Sequence, residues 1–408
     1  MDEAEVGIVG GGPAGAALAI RLATVGVDVV LFERQPEPRW RACGVYSSPL
    51  TRAHLAALGL PDSRIDKLIA PIDAMEVVSL RGPTVRLAHT FPYACGLDRV
   101  RSERILLDRA AAAGARVVEG AAVRELTPER ATTGFSVIGG SGAQRWRARV
   151  VVGADGPASL VARAFGVDRR ARGRRHAGIT LHRADRGDAD AEALVHPNDG
   201  ARAATARLFL GRGWYCGVAP VPGGRVNIGI VMGEAMLRRR LALGGGPAAI
   251  VDDVLMGLPA PAGRWHDAPS TDEVRVALPL AHRVARVAGS GFLLVGDAAG
   301  FLDPLSGEGF LRALVSAELA ADAIIAARAG DRAAFERYAR RMRSRFRAKD
   351  VVSWLLQAFL ERPGLADFAL RRMATRPGSR DTFGRVLADQ LPATRALDPR
   401  FLAGLLRP

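Results

Sequence analysis

The stretch Gly10-Gly11-Gly12-Pro13-Ala14-Gly15 decides the fold, because its glycines follow the pattern GxGxxG at the junction of a strand and a helix. Glu5 to Val9, before it, is predicted as a buried strand, and Ala14 to Val25 as a helix that ends at Gly26. Val27 to Phe32 is predicted as a second apolar strand. A strand, a helix and a strand in this order predict a parallel sheet with a right-handed crossover.

Each motif glycine has a physical role in binding a dinucleotide. Gly10 permits the tight turn, Gly12 lets a pyrophosphate approach the backbone, and Gly15 allows the helix to pack on the sheet. The helix N-terminus offers free N–H groups and a positive dipole to the phosphates. Glu33 ends the second strand, eighteen residues after Gly15, where its carboxylate can accept hydrogen bonds from ribose hydroxyls. These features together predict a Rossmann-type dinucleotide site.

Two later strands each deliver an aspartate next to a glycine. Val151 to Gly153 is an apolar strand that leads into Asp155 and Gly156. Phe292 to Val295 is another, followed by Gly296-Asp297-Ala298-Ala299-Gly300 and then by the helix predicted from Gly309 to Arg328. In both places the glycine permits a sharp backbone turn beside the carboxylate.

The three motifs, in this order and spacing, resemble the flavoprotein superfamily of the aromatic hydroxylases (group A flavin monooxygenases) and the geranylgeranyl reductases. The resemblance covers about the first 330 residues and implies one bound FAD. Asp297 is then well placed to bind a ribityl hydroxyl of the flavin. Backbone N–H groups around Gly307 and Gly309, at the start of the following helix, would stabilise negative charge on the reduced flavin.

Several details look like the geranylgeranyl reductase branch of this superfamily. That branch carries R-x-K-x-C-G after the second strand, and Arg39 to Gly44 matches it with Arg41 in place of the lysine. It also carries GDAAGF followed by P-x-x-G-E-G, which Gly296 to Phe301 and Pro304 to Gly309 match. The hydroxylases usually have histidine where Gly300 stands.

The resemblance also assigns residues to the site. Arg99 matches the superfamily arginine that approaches the flavin side chain, and Cys43 would lie close to the isoalloxazine ring; the alternative is that Cys43 fills a small buried gap. The candidate catalytic residues are Cys43, Gly44 and Tyr215, and no metal site is predicted. The predicted cofactor-binding residues are Gly10, Gly12, Pro13, Ala14, Gly15, Glu33, Arg34, Arg41, Cys43, Arg99, Val123, Asp155, Gly156, Gly296, Asp297, Pro304, Gly307, Glu308 and Gly309.

One strand departs from the reductase pattern. The reductases carry Y-x-W-x-F-P-K facing the cavity, where this chain has Tyr215-Cys216-Gly217-Val218-Ala219-Pro220-Val221. Gly217, Ala219 and Val221 thus replace two aromatic residues and a lysine. This predicts a larger or reshaped pocket and favours a wider or aromatic substrate over a linear prenyl chain. The alternative is a different register, with the bulk restored elsewhere.

Two reaction types follow from the resemblance. The first is a reductase or dehydrogenase that transfers hydride at flavin N5 to or from a hydrophobic small molecule of isoprenoid, polyketide or aromatic type. The second is a monooxygenase that hydroxylates or epoxidises through a flavin C4a-hydroperoxide. A flavin halogenase and a non-catalytic flavin redox sensor are weaker alternatives. No second GxGxxG lies between a strand and a helix, so NAD(P)H would bind transiently or a separate flavin reductase would supply electrons.

The order of the elements predicts an interleaved α/β chain. We expect a Rossmann-type FAD-binding domain formed by residues 1–70, 98–168 and 286–330. Residues 71–97 and 169–285 are predicted to form an antiparallel β-sheet substrate domain, because Gly and Pro separate short β-like runs there. Residues 331–408 are predicted to form a C-terminal helical region.

The charge and composition of the chain limit the kinds of binding partner that we expect. The net charge is +15, with 57 basic and 42 acidic residues, and the clusters Arg163 to Arg186 and Arg328 to Arg347 stand out. They lack the interleaved aromatic residues of single-strand binders, so no nucleic acid is expected. Solvated surface is the simpler interpretation; a lipid-facing surface is the alternative, supported by the apolar helix Val351 to Leu360. Without a basic, apolar leader at the N-terminus, we expect a cytoplasmic enzyme with peripheral membrane contact as a second option. The oligomeric state is left open.

Overall fold

The computed structural model describes residues 2–129, 132–139, 142–169, 175–185, 204–259 and 262–406. Of the basic cluster from Arg163 to Arg186, residues 170–174 and Arg186 lie outside this part of the chain. The strands are β1 (Asp2–Val9), β2 (Val29–Glu33), β3 (Tyr46–Ser47), β4 (Ile69–Ser79), β5 (Thr84–Ala88), β6 (Ala94–Leu97), β7 (Arg116–Glu119), β8 (Ala122–Pro128), β9 (Thr133–Gly139), β10 (Gly142–Gly153), β11 (Asp168–Arg169), β12 (His176–Ala184), β13 (Ala204–Gly211), β14 (Trp214–Val221), β15 (Arg225–Gly233), β16 (Arg275–Ala277), β17 (Arg283–Val284), β18 (Ala288–Gly289) and β19 (Phe292–Leu294).

Helices connect and cover these strands. The α-helices are α1 (Pro13–Thr24), α2 (Leu50–Ala57), α3 (Asp62–Ile65), α4 (Arg99–Ala112), α5 (Leu160–Ala164), α6 (Glu234–Ala242), α7 (Gly246–Met256), α8 (Gly309–Arg328), α9 (Ala334–Leu360), α10 (Pro363–Thr375), α11 (Pro377–Leu387) and α12 (Pro399–Leu406). Short 3₁₀ turns occur at Ala262–Trp265, Gly296–Ala299, Pro304–Ser306 and Ala393–Leu397.

The first sheet has β1 at its centre. Its main path runs β18-β19-β10-β1-β2-β7, and β1 pairs in parallel with both β10 and β2. The strand residues Val6, Ile8, Leu31 and Val152 are fully or almost fully buried, because α1 packs on β1 and β2, α4 packs on β7, and α8 packs on α1. Such continuous apolar strands are typical of a parallel sheet covered on its faces.

The second sheet follows a different pattern, with side chains that alternate between two environments. Its main path runs β16-β12-β15-β14-β13-β4-β6-β3, and its pairs are antiparallel except for β4 with β13. One face packs against α6 and α7 through residues such as Cys216, Ile228 and Leu255. The residues between them on β14 and β15, such as Gly217 and Gly229, point to the opposite face and line the cavity described below.

The chain passes between the sheets more than once. β3 lies within residues 1–70, which were predicted as part of the FAD-binding domain. It pairs with β6 and therefore belongs to the second sheet. β8 and β9 form an antiparallel pair that the sequence analysis did not predict. The pair extends the first sheet beside β10. The predicted fold class, an α/β dinucleotide fold interleaved with an antiparallel sheet and followed by helices, is confirmed.

The C-terminal helices are anchored on the core. α9 packs on α8, and its Tyr338 Oη donates a hydrogen bond of 2.5 Å to the carbonyl of Leu294 at the end of β19. Further along α9, the buried Lys349 Nζ forms ion pairs with Glu308 at 2.7 Å and Asp389 at 2.6 Å. The helix therefore ties the loop before α8 to the C-terminal segment.

Candidate active site

One cavity of about 860 Å³ lies between the two sheets. Its walls come from the loops at the carboxyl ends of β1, β10 and β19 on one side and from β12, β14 and β15 on the other. Ligands of open α/β sheets bind at this edge, outside the carboxyl ends of the parallel strands. The cavity thus joins the predicted dinucleotide motifs to the second sheet.

The glycines of the β1–α1 turn differ in what they face. A Cβ at Gly10 would lie 2.4 Å from the carbonyl oxygen of Ala154, and one at Gly15 would lie 2.0 Å from that of Gly10. Gly10 also has φ of +107°, a conformation that favours glycine. A Cβ at Gly12 would meet no protein atom within 4 Å. Gly10 and Gly15 are therefore required by packing, whereas Gly12 leaves space in the cavity itself.

Glu33 lies at the end of β2 with its side chain 5% exposed. Its Oε2 accepts from the Gly11 N–H at 2.8 Å, and its Oε1 accepts from the Gln35 N–H at 3.0 Å and from Arg41 at 3.2 Å. These bonds fix the carboxylate beside the glycine turn, where a ribose would lie next to the pyrophosphate position.

Two partly buried aspartates, Asp155 and Asp297, lie where the middle of a dinucleotide would pass. Burial raises the pKa of Asp155, and its Oδ1 has no hydrogen-bond partner while its Oδ2 accepts from the Leu160 N–H at 2.6 Å. Burial also raises the pKa of Asp297, and the nearby Arg99 opposes that rise. Arg99 pairs with Glu103 at 3.2 Å and has a buried Nε with no partner. Unpartnered buried polar atoms facing a cavity fit a polyhydroxyl, phosphate-bearing ligand such as FAD.

The loop before α8 would meet the flavin ring. Gly307 has φ of +65°, and a Cβ there would lie 2.4 Å from the Tyr46 ring. Gly307 and Gly309 line the cavity at the N-terminus of the twenty-residue helix α8, whose free N–H groups favour negative charge. The Glu308 side chain pairs with Lys349 instead of lining the cavity.

Cys43 and Gly44 line the cavity near these loops. Burial raises the pKa of the Cys43 thiol above its usual range, and the positive charge of Arg99 only partly offsets this. The thiolate is the nucleophilic form of cysteine. Cys43 is thus held as a neutral thiol at neutral pH, which suits packing against a ring more than nucleophilic attack.

On the opposite wall, Tyr215 of β14 is linked to a buried carboxylate. Its hydroxyl donates to Asp303 Oδ1 at 2.6 Å, and burial followed by the Asp303 charge raises the pKa of Tyr215 well above its usual range. Asp303 also accepts from the Leu305 N–H at 2.9 Å and from Gln357 of α9 at 2.8 Å. The phenol therefore keeps its proton and points it away from the cavity.

Comparisons with known proteins agree with this geometry. Residues 3–204 match a family described as FAD binding domain. The chain is 29% identical over 330 residues to a menaquinone reductase of Mycolicibacterium smegmatis, covering 78% of this chain and 76% of that protein. It is 28% identical over 336 residues to a digeranylgeranylglycerophospholipid reductase of Methanosarcina mazei, covering 79% and 75% respectively. The chain is an FAD-dependent oxidoreductase that is similar to these reductases.

The fold of this oxidoreductase is also shared by solved structures. A flavoprotein/dehydrogenase of Cytophaga hutchinsonii superposes with a TM-score of 0.79 at 18% identity, covering 95% of this chain and 93% of that one. Flavin-dependent halogenases have the same fold, so the fold alone does not select the reaction. FAD is the cofactor of the oxidoreductase, and the unpartnered Asp155 Oδ1 and Arg99 Nε fit it.

The structure brings the predicted site residues of the oxidoreductase together with two exceptions. Gly15 is covered by the turn, and the Glu308 side chain points to Lys349. The predicted residues that line the cavity are Gly10, Gly12, Pro13, Ala14, Glu33, Arg34, Arg41, Cys43, Gly44, Arg99, Val123, Asp155, Gly156, Tyr215, Gly296, Asp297, Pro304, Gly307 and Gly309.

Sequence reasoning missed several cavity residues of the second sheet. Asn227, Gly229 and Thr180 line the cavity but carry no motif. Gly229 could have been noticed, since glycine inside a strand often marks close approach of a ligand. Asp303 directly precedes the quoted P-x-x-G-E-G segment, yet its bond to Tyr215 joins residues 88 positions apart and has no sequence signal.

Proposed function

We propose that this oxidoreductase reduces a carbon–carbon double bond of a hydrophobic small molecule of isoprenoid, polyketide or aromatic type. When bound and reduced, FAD would supply hydride from N5 to one carbon of the double bond, while the other carbon takes a proton. The observation that carries the proposal is the cavity between the sheets, whose lining includes Cys43 and Gly307, which would face the flavin, together with an apolar wall. The names of the relatives, a menaquinone reductase and a digeranylgeranylglycerophospholipid reductase, support the same substrate class.

The residues of the chain hold and shield the reactants. Gly12 and the α1 N-terminus would hold the pyrophosphate, Glu33 the ribose, and Asp297 the ribityl chain. Tyr215 offers a neutral oxygen that accepts from a substrate hydroxyl, because its own proton is donated to Asp303. The apolar wall excludes water from the reacting carbon; it includes Met75, Ala206, Leu208, Val231, Leu280, Phe301 and Leu305.

An anaerobic single-turnover experiment tests this function. The holoenzyme is reduced with dithionite, freed of excess reductant and mixed under argon with geranylgeraniol or a dihydronaphthalene. We expect flavin reoxidation together with a product two mass units heavier. A flavin that stays reduced with every such alkene would contradict the proposal.

We propose that the electron donor is a nicotinamide that binds transiently at the flavin face. Repeating the reduction step with NADH, NADPH or a separate flavin reductase identifies the donor.

We further propose that the enzyme contacts membranes peripherally through α9. None of the helices in the described part of the chain is long and apolar enough to span a bilayer. However, Arg343 and Arg347 are exposed and share a helix face with the exposed Val351 and Trp354, which are 40% and 59% exposed. An arginine stripe beside an exposed tryptophan is typical of helices that lie in the membrane interface.

Vesicle co-sedimentation tests the membrane contact. The wild-type enzyme should bind anionic phosphatidylserine-containing vesicles at low salt and bind much less after Arg343→Glu with Trp354→Ala. Arg238→Glu, an exposed arginine on α6, changes the charge equally and serves as the control. Equal loss in the control, or no binding by the wild type, would contradict this proposal.

A further inference from the structure

Two glycines face each other on the second sheet. Gly217 of β14 pairs with Gly229 of β15, and both line the cavity. A Cβ at Gly217 would come no closer than 3.9 Å to any atom, and one at Gly229 would also come no closer than 3.9 Å. Thr180 of β12 flanks Gly229, and Leu208 of β13 flanks Gly217. The pair leaves a flat area of bare backbone, which we call the glycine platform.

Neither backbone conformation nor packing requires glycine at these positions. Gly217 and Gly229 are absent from the positive-φ glycines, so an L side chain fits the backbone at both. By contrast, a Cβ at Gly96 would lie 1.7 Å from the Pro220 carbonyl, and one at Gly178 would lie 3.2 Å from Leu280. Glycine inside a strand weakens it and often marks a place where a ligand approaches the backbone closely. The platform is therefore explained by an occupant of the cavity.

Polar groups stand at opposite ends of the platform. Tyr215 lies two residues before Gly217, and Asn227 lies two residues before Gly229 on the antiparallel strand, so the two side chains flank the glycines from opposite directions. Tyr215 is 7% exposed and Asn227 is 3% exposed. Both face the cavity between them.

The hydrogen bonds of Asn227 and Tyr215 show which polar atoms remain available to a ligand at each end of the platform. The Asn227 Nδ2 donates to Thr180 Oγ1 at 3.0 Å and to the Leu181 carbonyl at 3.2 Å, which uses both its protons. Within the described residues, no donor reaches its Oδ1, which lies 3.9 Å from the Cβ position of Gly229. The Tyr215 proton is donated to Asp303. Each end thus presents an oxygen that accepts, and neither offers a free proton of its own.

We infer that the glycine platform binds a planar fused-ring substrate that carries hydroxyl groups at its two ends. The ring lies on the bare backbone of Gly217 and Gly229, and its hydroxyls donate to Tyr215 Oη and Asn227 Oδ1. This inference rests on the proposed function for the reaction, and it narrows the substrate class from hydrophobic molecules in general to hydroxylated polycyclic aromatics. A side chain at either glycine would occupy the space of the ring.

Equilibrium binding to the oxidised holoenzyme tests the platform. The probe is 2,6-dihydroxynaphthalene, followed by perturbation of the flavin visible spectrum, with naphthalene and geranylgeraniol titrated in parallel. We expect the dihydroxy ring to bind at least about tenfold more tightly than naphthalene, which corresponds to about 1.4 kcal/mol. Gly217→Leu with Gly229→Leu should weaken ring binding by at least about tenfold. Gly233→Leu, at a β15 position with no atom within 4 Å of its Cβ and outside the cavity, should change nothing.

The possible results distinguish failure of the platform from failure of the proposed function. Unchanged ring binding in the leucine variant, or equal loss of ring and geranylgeraniol binding, overturns the platform. If the leucine variant loses FAD, Gly217→Ala and Gly229→Ala add one methyl each and keep the test valid. Because this assay involves no turnover, ring binding without anaerobic reduction would retain the platform and contradict the proposed function. Reduction of linear alkenes without ring binding would support the proposed function and overturn the platform.

Discussion

The glycines on the two walls of the cavity make an instructive comparison. On the dinucleotide wall, Gly10 and Gly15 touch neighbouring backbone so closely that no side chain fits. On the substrate wall, a Cβ at Gly217 or Gly229 would come no closer than 3.9 Å to a protein atom, so a side chain fits without a clash. Gly12 stands between these cases, since it belongs to the dinucleotide turn but faces the open cavity.

The difference separates glycines that build the protein from glycines that make room for a ligand. Substituting the first kind strains the native state whether or not a ligand is present. Substituting the second kind leaves the apoprotein intact and acts only on what binds. Stability and binding measured together therefore distinguish the two kinds.

The largest effect is expected for Gly15→Val. The new Cβ would lie 2.0 Å from the Gly10 carbonyl oxygen, and neither the β1 end nor the first turn of α1 can move without disturbing the sheet. We expect a loss of about 3 kcal/mol or more in the free energy of unfolding together with loss of FAD. Thermal unfolding of the apoprotein measures the first effect. A variant with wild-type thermal stability would contradict the packing argument.

Gly12→Val should abolish FAD binding and leave the apoprotein stable. A Cβ at this position meets no protein atom within 4 Å, so the change in unfolding free energy should stay within about 0.5 kcal/mol. The same side chain would fill the approach of the pyrophosphate to the backbone. The flavin-to-protein absorbance ratio after purification gives the result, with Gly233→Val as control. Purification with a full complement of flavin would remove Gly12 from the site.

A smaller effect is expected for alkylation of Cys43. Burial raises the pKa of this thiol, so the reactive thiolate forms only at high pH, and the iodoacetamide rate should rise through a midpoint above that of a free cysteine. Cys43→Ser is the control, because burial raises the pKa of Cys95 and Cys216 to about 12. A midpoint at or below the free-cysteine value would show a thiolate at neutral pH and favour a chemical role for Cys43.

The dinucleotide wall was predictable because its physics is local. The turn, the helix start and Glu33 lie within 24 residues, and each has a known sequence signature. The strands β13, β14 and β15 lie in residues 169–285, which were predicted as antiparallel sheet because Gly and Pro separate short β-like runs there. The same local rules placed α8 at Gly309–Arg328.

The substrate wall was less predictable because its features depend on pairing across the sheet. Gly217 was noticed as a departure from the reductases, but its partner Gly229 is known only from the register of β14 with β15. The bond between Tyr215 and Asp303, and its support by Gln357 of α9, require the packing of the C-terminal region on the cavity. No spacing within the chain encodes such contacts.

The central claim is that the cavity serves hydride transfer to carbon, and oxygen labelling tests it most directly. The holoenzyme is reduced, mixed with ¹⁸O₂-saturated buffer in the presence of geranylgeraniol or 2,6-dihydroxynaphthalene, and the products are analysed by mass spectrometry. The account predicts that hydride transfer to carbon competes with reoxidation by oxygen, so that the products are hydrogenated and contain no ¹⁸O. A product that carries one ¹⁸O atom would contradict the account and establish a monooxygenase.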